Sequence, residues 1–256
     1  MQLTSDEECT QNGTMSAEII DFLRFIIPSG ANVSLSGQHG SGITTTLSQF
    51  PKYMEKSTRI LFIDDNEEVL SKSKRKFADY PNFHSFYSLL EAKGMKYQKE
   101  KSYSIDCRMK AAIFSNQDVI VIGEIQDEAD AKQALIGMNT GHIVWNTINA
   151  NSAAEAARRF LLLNGNTLAA ANQVGVSLDF IMFHKKLKSG VRVITEISEL
   201  LGYQGAEKPI LNPIFKYDYQ SNTHQRVGSI KSGTMLEKIY FKEPVSSLID
   251  HWCTST

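Results

Sequence analysis

The sequence contains no apolar run that approaches the roughly 20 residues needed for a membrane-spanning helix. Its N-terminus, which reads MQLTSDEEC, is polar and acidic and lacks the basic start and apolar centre of a signal peptide. We therefore expect no direct insertion into a membrane. Any association with a membrane must run through a partner.

An excess of charge of one sign is also missing. The 256 residues carry 27 basic and 28 acidic side chains, which gives a net charge of −1. This balance provides no long-range field that favours nucleic acid, and aromatic residues do not interleave with the basic clusters. We therefore expect no nucleic-acid partner.

Cysteines are few and lack the spacing of a metal site. Cys9, Cys107 and Cys253 make an odd number, so reduced thiols in a cytosolic protein are the simplest interpretation. The sequence also has no internal repeat and no Asn-Lys-x-Asp guanine-recognition pattern, which argues against a GTPase.

What the sequence does contain is a glycine-rich turn between a short apolar strand and a threonine-rich helix start. The turn runs from Gly37 to Gly42, with four residues between the two glycines. Glycines in such a loop let backbone N–H groups turn inward around a phosphate, and the following helix adds its positive N-terminal end. The phosphate-binding pattern places Lys after the second glycine, where this sequence has Ile43. The loop is therefore predicted to hold a nucleoside triphosphate but to be poorly equipped to hydrolyse it.

Strand-like and helix-like segments alternate along most of the chain. Apolar runs typical of strands occur at 33–36, 59–64, 118–123, 142–149 and, approximately, 178–184 and 191–197. Helices are predicted at 16–27, from about 44 into the fifties, at 108–114, after Asp127, and after a capping box at Ser152 and Glu155. A tight turn at 188–190 joins the last two strands. The alternation predicts an α/β fold with a largely parallel sheet.

Acidic residues follow two of the predicted strands. Asp64 and Asp65 end one strand, with Glu67 and Glu68 immediately beyond, and Glu124 directly follows another. Because the carboxyl ends of parallel strands meet at one edge of a sheet, these carboxylates are predicted to lie beside the glycine loop. There they could hold Mg²⁺ directly or through water and orient an attacking water. The alternative is that they are helix caps or surface groups.

Two basic clusters lie in the segment from about 71 to 104, one at 72–76 and the other at 93–101. The residues alone are compatible with a solvated surface or with a site for an anionic partner.

Four motifs, the last of them followed by a characteristic turn, occur in the order found in one family of motor proteins. The segment VIVIGEI at 119–125 resembles its Walker B strand, TGH at 140–142 its histidine box, and NANS at 149–152 the turn that follows. Upstream, IDDNEEV at 63–69 resembles its aspartate box, and residues 37–47 resemble its phosphate-binding loop. Over residues 16–202 the sequence is thus similar to the type II/type IV secretion ATPase superfamily, nearest its tight-adherence pilus and conjugation-motor branch.

The resemblance implies roles for individual residues. Glu68 would be a catalytic carboxylate, and Glu124 would be a catalytic Walker B acid that bonds metal-bound water. His142 would sense the γ-phosphate, with a hydrogen-bonded histidine at a strand start as the alternative. Thr44 would bind Mg²⁺ as well as phosphate. The residues implied to surround the nucleotide are Gly37, Gln38, His39, Gly40, Ser41, Gly42, Ile43, Thr44 and Thr45.

The sequence departs from the family pattern where positive or proton-transferring groups are expected. Ile43 replaces the lysine of the loop, Asn149 replaces a second histidine, and Gln126 stands where arginine is usual. Phe114 and Lys110 fall where the guanidinium groups of an arginine box are expected. Because these groups have changed while the glycines and acids remain, we expect ATP binding with hydrolysis reduced or lost.

In domain terms, the resemblance implies a RecA-like P-loop NTPase domain over residues 16–202. We expect a flexible lead-in over 1–15 and a small C-terminal appendage, with a β-hairpin and helices, over 203–256. The stretch before the loop is short, so the chain is expected to lack the separate N-terminal domain that family members carry.

The function implied is that of an ATP-binding subunit of a secretion, pilus or conjugation motor, with ATP and Mg²⁺ as cofactors. Its partners would be homologous ATPase subunits in a homo- or hetero-hexamer and a secretion or pilus platform protein of the inner membrane. The chain would then be cytoplasmic and peripheral at the inner face of the membrane. The alternatives are a non-catalytic assembly module of a mixed ring and a remnant of a truncated motor gene.

Overall fold

The computed structural model of the chain describes residues 5–63, 81–86, 104–242 and 246–253. The strands within these ranges are β1 (Val33–Gly37), β2 (Ile60–Ile63), β3 (Phe83–Ser85), β4 (Val119–Ile125), β5 (Ile143–Asn149), β6 (Phe180–Lys186), β7 (Arg192–Gln204), β8 (Lys208–Asp218) and β9 (Thr223–Arg226). They form one sheet in the order β3-β2-β4-β5-β1-β6-β7-β8-β9.

The sheet is parallel from β3 to β6 and antiparallel from β6 to β9. β1 lies between β5 and β6, so that Gly37 pairs with Asn149 on one side and with His184 on the other. The predicted α/β fold with a mainly parallel sheet is therefore confirmed. The predicted turn at 188–190 is also present, because Gly190 N–H donates to the carbonyl of Leu187 at 2.9 Å between β6 and β7.

Helices cover both faces of the sheet. They are α1 (Asp6–Gln11), α2 (Ala17–Ile26), α3 (Ile43–Leu47), α4 (Ile105–Phe114), α5 (Glu128–Asn139), α6 (Ala153–Leu163), α7 (Leu168–Ser177), α8 (Gly233–Phe241) and α9 (Ser246–Trp252), with a 3₁₀ helix at Phe50–Tyr53. Among the described residues, no helix combines the length and apolar character required to cross a bilayer.

The two largest hydrophobic cores among the described residues lie on opposite faces of the sheet, because successive side chains of a strand point in opposite directions. The first core, which we call the α2 core, joins Val33 and Leu35 of β1 to the apolar side of α2 and to α3. The second, the α6 core, joins the other face of the sheet to α5 and α6. The glycine loop thus begins at the edge of a sheet that has a packed hydrophobic core on each face.

Residues 5–15 are packed against the domain, so the expectation of a flexible lead-in over residues 1–15 is wrong for its described part. Ser5 and Glu8 form a capping box that starts α1. Cys9 and Met15 are buried in the α2 core. Asp6 makes an ion pair with Lys52 at 2.5 Å. These contacts give the segment enough buried surface to order it.

The C-terminal segment shares the same core, so the boundary expected after residue 202 is also wrong. That boundary lies inside β7, which continues to Gln204. The expected hairpin and helices are present as β8, β9, α8 and α9, but they extend the sheet and the α2 core. Trp252 is buried, with its ring centroid 5.1 Å from that of Phe22 in α2. The physical reason is that β7 pairs with β8 and carries the sheet across the boundary.

Two of the predicted features lie outside the described residues. They are the aspartate box with Asp64, Asp65 and Glu68, and the basic segment from 71 to 104 except for residues 81–86 and 104.

Candidate functional site

The helices that follow the neighbouring strands β1 and β5 pack on opposite faces of the sheet. α3 follows β1 and contributes Ile43 to the α2 core, whereas α6 follows β5 and contributes Ala153 to the α6 core. Such a switch point opens a crevice outside the carboxyl ends of the strands, where open α/β sheets bind ligands. The glycine loop begins at this crevice, since Gly37 pairs with Asn149 at the end of β5.

Close packing and backbone conformation require glycine at both ends of the loop. A Cβ atom on Gly37 would lie 2.5 Å from Ser41 Oγ and 2.7 Å from the carbonyl oxygen of His184. Gly42 has a φ of 97°, and a Cβ atom there would lie 3.0 Å from Arg192 Cδ. Only glycine adopts this backbone without steric strain. The conformation of the loop therefore depends on glycine at these two positions.

Several polar groups of the loop are available to a ligand. Within the described residues, no protein acceptor is found for the backbone N–H groups of His39, Gly40, Gly42 and Ile43. Ser41 is 1% exposed, and its hydroxyl likewise has no hydrogen-bond partner in the part of the chain that the structure describes. Inward-turning N–H groups in a glycine loop are the donors that phosphate oxygens accept. These residues therefore fit a phosphate group.

The side chain of Ile43 belongs to the α2 core and is only 9% exposed. The helix that it begins is also short, because α3 ends at Leu47 and the chain continues as a 3₁₀ helix that contains Pro51. Proline has no N–H group to donate to the carbonyl four residues earlier. The expected helix from about 44 into the fifties is therefore wrong, and the dipole that α3 adds is that of a five-residue helix.

A carboxylate lies at the same edge of the sheet, two strands from the loop. Glu124 is exposed near the end of β4, and its Oε1 accepts a hydrogen bond from the side-chain amide of Asn149. Arg159 holds the other side of Asn149, since its guanidinium donates to the Asn149 carbonyl at 2.9 Å. Glu124, the predicted Walker B acid, thus lies at the same edge of the sheet as the loop. Asn149, which stands where the family pattern has a second histidine, provides a side-chain amide there.

A chain of hydrogen bonds crosses the crevice. The side-chain amide of Gln38 donates to Asn151 Oδ1 at 3.0 Å, and Asn151 Nδ2 donates to the Glu155 carboxylate at 3.1 Å. The Ser152 hydroxyl caps α6 by accepting from Glu155 N–H at 3.0 Å, but the Glu155 carboxylate accepts from Asn151, so only the serine half of the predicted capping box is found among the described residues. These bonds connect the loop to the start of α6.

Oxygen atoms suited to Mg²⁺ are accessible at this edge. Thr44, in the first turn of α3, is exposed, and so is Glu124. Hydroxyl and carboxylate oxygens, together with water and phosphate, are the ligands that Mg²⁺ prefers. The other predicted loop residues, Gln38, His39, Gly40 and Thr45, are likewise exposed.

His142 lies at the opposite edge of the sheet, so its assignment as a γ-phosphate sensor is wrong. It directly precedes β5, whose seven residues end at Asn149 beside the loop. At about 3.3 Å per residue, about 23 Å separate the two ends. His142 Nδ1 is 3.1 Å from Thr140 Oγ1, and partial burial lowers the pKa of His142. The alternative, a hydrogen-bonded histidine at a strand start, is the one that the geometry supports.

Two residues that the sequence did not single out contact the loop from the β6–β7 hairpin. Arg192 Nε donates to the Gly40 carbonyl at 2.8 Å. His184 ends the apolar run of β6, pairs with Gly37 and is fully enclosed, and this burial lowers its pKa to about 3. Neither ring nitrogen of His184 has a hydrogen-bond partner among the described residues. In the sequence, His184 is marked only as a histidine at the end of an apolar strand. That pattern does not indicate a role for it.

Comparison with known sequences identifies a family. The model of the family described as "Type II/IV secretion system protein" matches residues 2–208. An uncharacterised protein of Methanocaldococcus jannaschii is 25% identical over 232 residues, which are 89% of this chain and 39% of that protein. The type IV pilus retraction ATPase PilT of Pseudomonas aeruginosa is 27% identical over 135 residues, which are 52% of this chain and 35% of that protein.

Comparison with solved structures supports the same fold. The VirB11 ATPase of the Brucella suis type IV secretion system superimposes with a TM-score of 0.56 at 16% identity, over 71% of this chain and 52% of that chain. The ATPase DotB of Yersinia pseudotuberculosis gives a TM-score of 0.53 at 18% identity, over 75% and 47%. The chain thus spans about half the length of these structures and 39% or less of the two relatives above.

Proposed function

The chain belongs to the type II/IV secretion system protein family, and on this premise we propose that it binds Mg²⁺ and ATP at the glycine loop with reduced hydrolysis. The observation that carries the proposal is the loop itself. It stands at the switch point between β1 and β5, requires glycine at Gly37 and Gly42, and has backbone N–H groups without protein acceptors among the described residues.

In this proposal each part of the site has a separate task. The loop amides of His39, Gly40, Gly42 and Ile43 would bind the phosphates. Thr44 and Glu124 would hold Mg²⁺, the latter through water, and Glu68 would orient the attacking water. Bound Mg²⁺ would neutralise charge on the phosphates. Gln38 and Asn151 connect the loop to the first turn of α6 through hydrogen bonds.

Reduced hydrolysis follows from two neutral residues. Ile43 places a buried hydrocarbon where a lysine would meet the phosphates, and a hydrogen bond to a charged group is worth roughly 1.5–3 kcal/mol. Its loss corresponds to about 10- to 100-fold in affinity. Asn149 cannot transfer a proton as histidine can, because an amide does not titrate near neutral pH. An electrostatic stabiliser of the transition state is worth about 10²–10³ in rate, so the chemical step suffers more than binding.

We further propose that the protein acts in a motor ring with homologous ATPase subunits, as a homo- or hetero-hexamer. The ring would work in the cytoplasm, at the inner face of the membrane, on a secretion or pilus platform protein. A non-catalytic assembly module of a mixed ring is the second candidate. The retention of the glycine scaffold and Glu124 beside neutral Ile43 and Asn149 favours it. Association with a full-length homologous ATPase under native conditions tests this candidate, and its absence would contradict it.

Equilibrium binding of Mg·ATP tests the central proposal, with Gly42→Ala as the key variant. The new Cβ meets Arg192 in a strained backbone, so affinity should fall at least tenfold. Gly165→Ala is a matched control, because Gly165 has a φ of 98° against 97° for Gly42, but a Cβ atom there would meet no atom of the described residues within 4 Å beyond its chain neighbours. An equal effect of both variants, or no Mg·ATP binding by the wild type, would contradict the proposal.

Ile43→Lys tests whether one residue limits the site. A lysine stem can lie along apolar surface while its amine extends toward a polar group. We expect Mg·ATP affinity to rise about tenfold, with Ile43→Met as the uncharged control. If neither affinity nor turnover rises in a folded variant, the site has lost more than its lysine.

A further inference from the structure

We propose that Arg192 supplies the positive charge that Ile43 does not, by binding phosphate oxygens of a nucleotide in the glycine loop. This inference rests on the proposed nucleotide binding and assigns one further residue to that site. It would explain how a loop without its lysine retains affinity for a triphosphate.

Arg192 is anchored directly to the loop. Its Nε donates to the carbonyl of Gly40 at 2.8 Å. Its Cδ and Cβ lie 3.0 Å and 3.5 Å from the point where a Cβ atom of Gly42 would stand. The side chain therefore lies along the loop from Gly42 to Gly40, two residues whose amides have no protein acceptor among the described residues.

The topology places Arg192 on the face of the sheet that the loop helix covers. Arg192 is the first residue of β7, and Ile194, two residues on, belongs to the α2 core together with Ile43. Residues two apart on a strand point to the same face. β7 is separated from β1 only by β6, so the hairpin end lies about 10 Å from the end of β1. An arginine side chain spans most of this distance.

The guanidinium keeps its terminal donors. Within the described residues, Nη1 and Nη2 of Arg192 have no hydrogen-bond acceptor and form no ion pair. By contrast, Arg24, Arg59 and Arg226 each pair with a carboxylate, of Asp21, Asp118 and Glu18 respectively. A cation that is fixed by a loop carbonyl and left without a counter-charge is suited to an anionic ligand.

Guanidinium chemistry matches this task. The planar group presents parallel N–H donors that bind two oxygens of one phosphate, and it stays charged at any physiological pH. Because Nε already bonds Gly40, the Nη atoms are held in position before the ligand arrives. A lysine binds phosphate as a point charge on a flexible stem, so arginine can replace its charge from a different strand.

Arg192→Gln tests the inference, with Lys188→Gln as the matched control. Lys188 is exposed in the same hairpin, and its substitution makes the same change of charge. The probes are Mg·ATP, Mg·ADP and AMP, measured by calorimetry at two salt concentrations. We expect Arg192→Gln to weaken Mg·ATP binding about tenfold or more and to flatten its salt dependence. AMP binding should change less than twofold, and Lys188→Gln should behave as the wild type.

The outcomes separate the two proposals. A wild type that does not bind Mg·ATP refutes the proposed function. A wild type that binds it, with Arg192→Gln unchanged, overturns only the inference about Arg192. Equal losses for Mg·ATP and AMP would show that Arg192 merely holds the loop in shape, and would overturn it too. If Arg192→Gln does not fold, Arg192→Lys replaces it: selective retention of Mg·ATP over AMP supports the charge, and equal loss contradicts it.

Discussion

The side-chain amide of Asn149 donates a hydrogen bond to the carboxylate of Glu124 across the edge of the sheet that carries the glycine loop. Glu124 is the penultimate residue of β4, and Asn149 is the last residue of the neighbouring parallel strand β5. The bond fixes the orientation of the carboxylate. Its donor is an amide, which does not titrate near neutral pH as a histidine would. Asn149 thus holds one carboxylate oxygen of Glu124, and in the proposed site the other oxygen would bond metal-bound water.

Glu124→Gln should weaken the binding of Mg·ATP about tenfold and leave Mg²⁺-free ADP binding nearly unchanged. The substitution keeps the shape and an acceptor for Asn149 but removes the charge that would hold metal-bound water. Glu128→Gln is the control, because Glu128 is exposed on α5 and makes the same charge change away from the strand end. Titration of Mg²⁺ at fixed ATP measures the effect. Identical titrations for the two variants would remove Glu124 from the metal site.

His142→Ala should leave Mg·ATP affinity within about twofold of the wild type, since His142 stands at the far end of β5 from the loop. Asn149→Ala, at the near end of the same strand, should alter Mg·ATP binding because it frees the Glu124 carboxylate. Binding isotherms of both variants check this pair. A large loss in His142→Ala with an intact fold would restore the assignment as a phosphate sensor.

His184 should make the folded state less stable as the pH falls. Burial lowers its pKa from 6.5 to about 3 in the folded state, so between these values the unfolded chain binds one more proton and stability decreases with decreasing pH. From pH 7 to pH 5 the loss is about 2 kcal/mol. His184→Met, which also removes a buried polar group that has no partner among the described residues, should lack this pH-dependent component. Urea unfolding at both pH values measures the difference, and parallel pH dependence of the two proteins would count against it.

Trp252→Ala should lower the free energy of unfolding by about 3–5 kcal/mol, because its ring is 2% exposed among aromatic residues of the α2 core. Phe241→Ala is the control in the same C-terminal segment, since Phe241 is 84% exposed, and its effect should stay within about 0.5 kcal/mol. Chemical denaturation of both variants gives the comparison. Similar values would mean that the segment folds separately from the domain.

Local patterns in the sequence were sufficient for the central part of the fold. The apolar run of β4 and the glycines of the loop determine their own conformation, through burial and through backbone freedom. The parallel sheet then follows from strands that alternate with helices, and it brings Glu124 to the loop edge. The packing of residues 5–15 and the continuity of β7 past 202 could not be predicted in this way, because both depend on contacts between distant segments.

The sequence by itself determined the identity of the loop, its missing lysine and the family to which the chain belongs. Only the tertiary structure decided which side chains reach that loop. A strand motif does not show which end of the strand lies at the site. Only the register of β5 with β1 shows that Asn149, and not His142, lies beside the loop. Arg192 follows β1 by more than 150 residues, yet its Nε bonds Gly40, because the antiparallel turn after β6 returns the chain to the loop edge. Proximity of this kind is created by strand pairing, which no local pattern encodes.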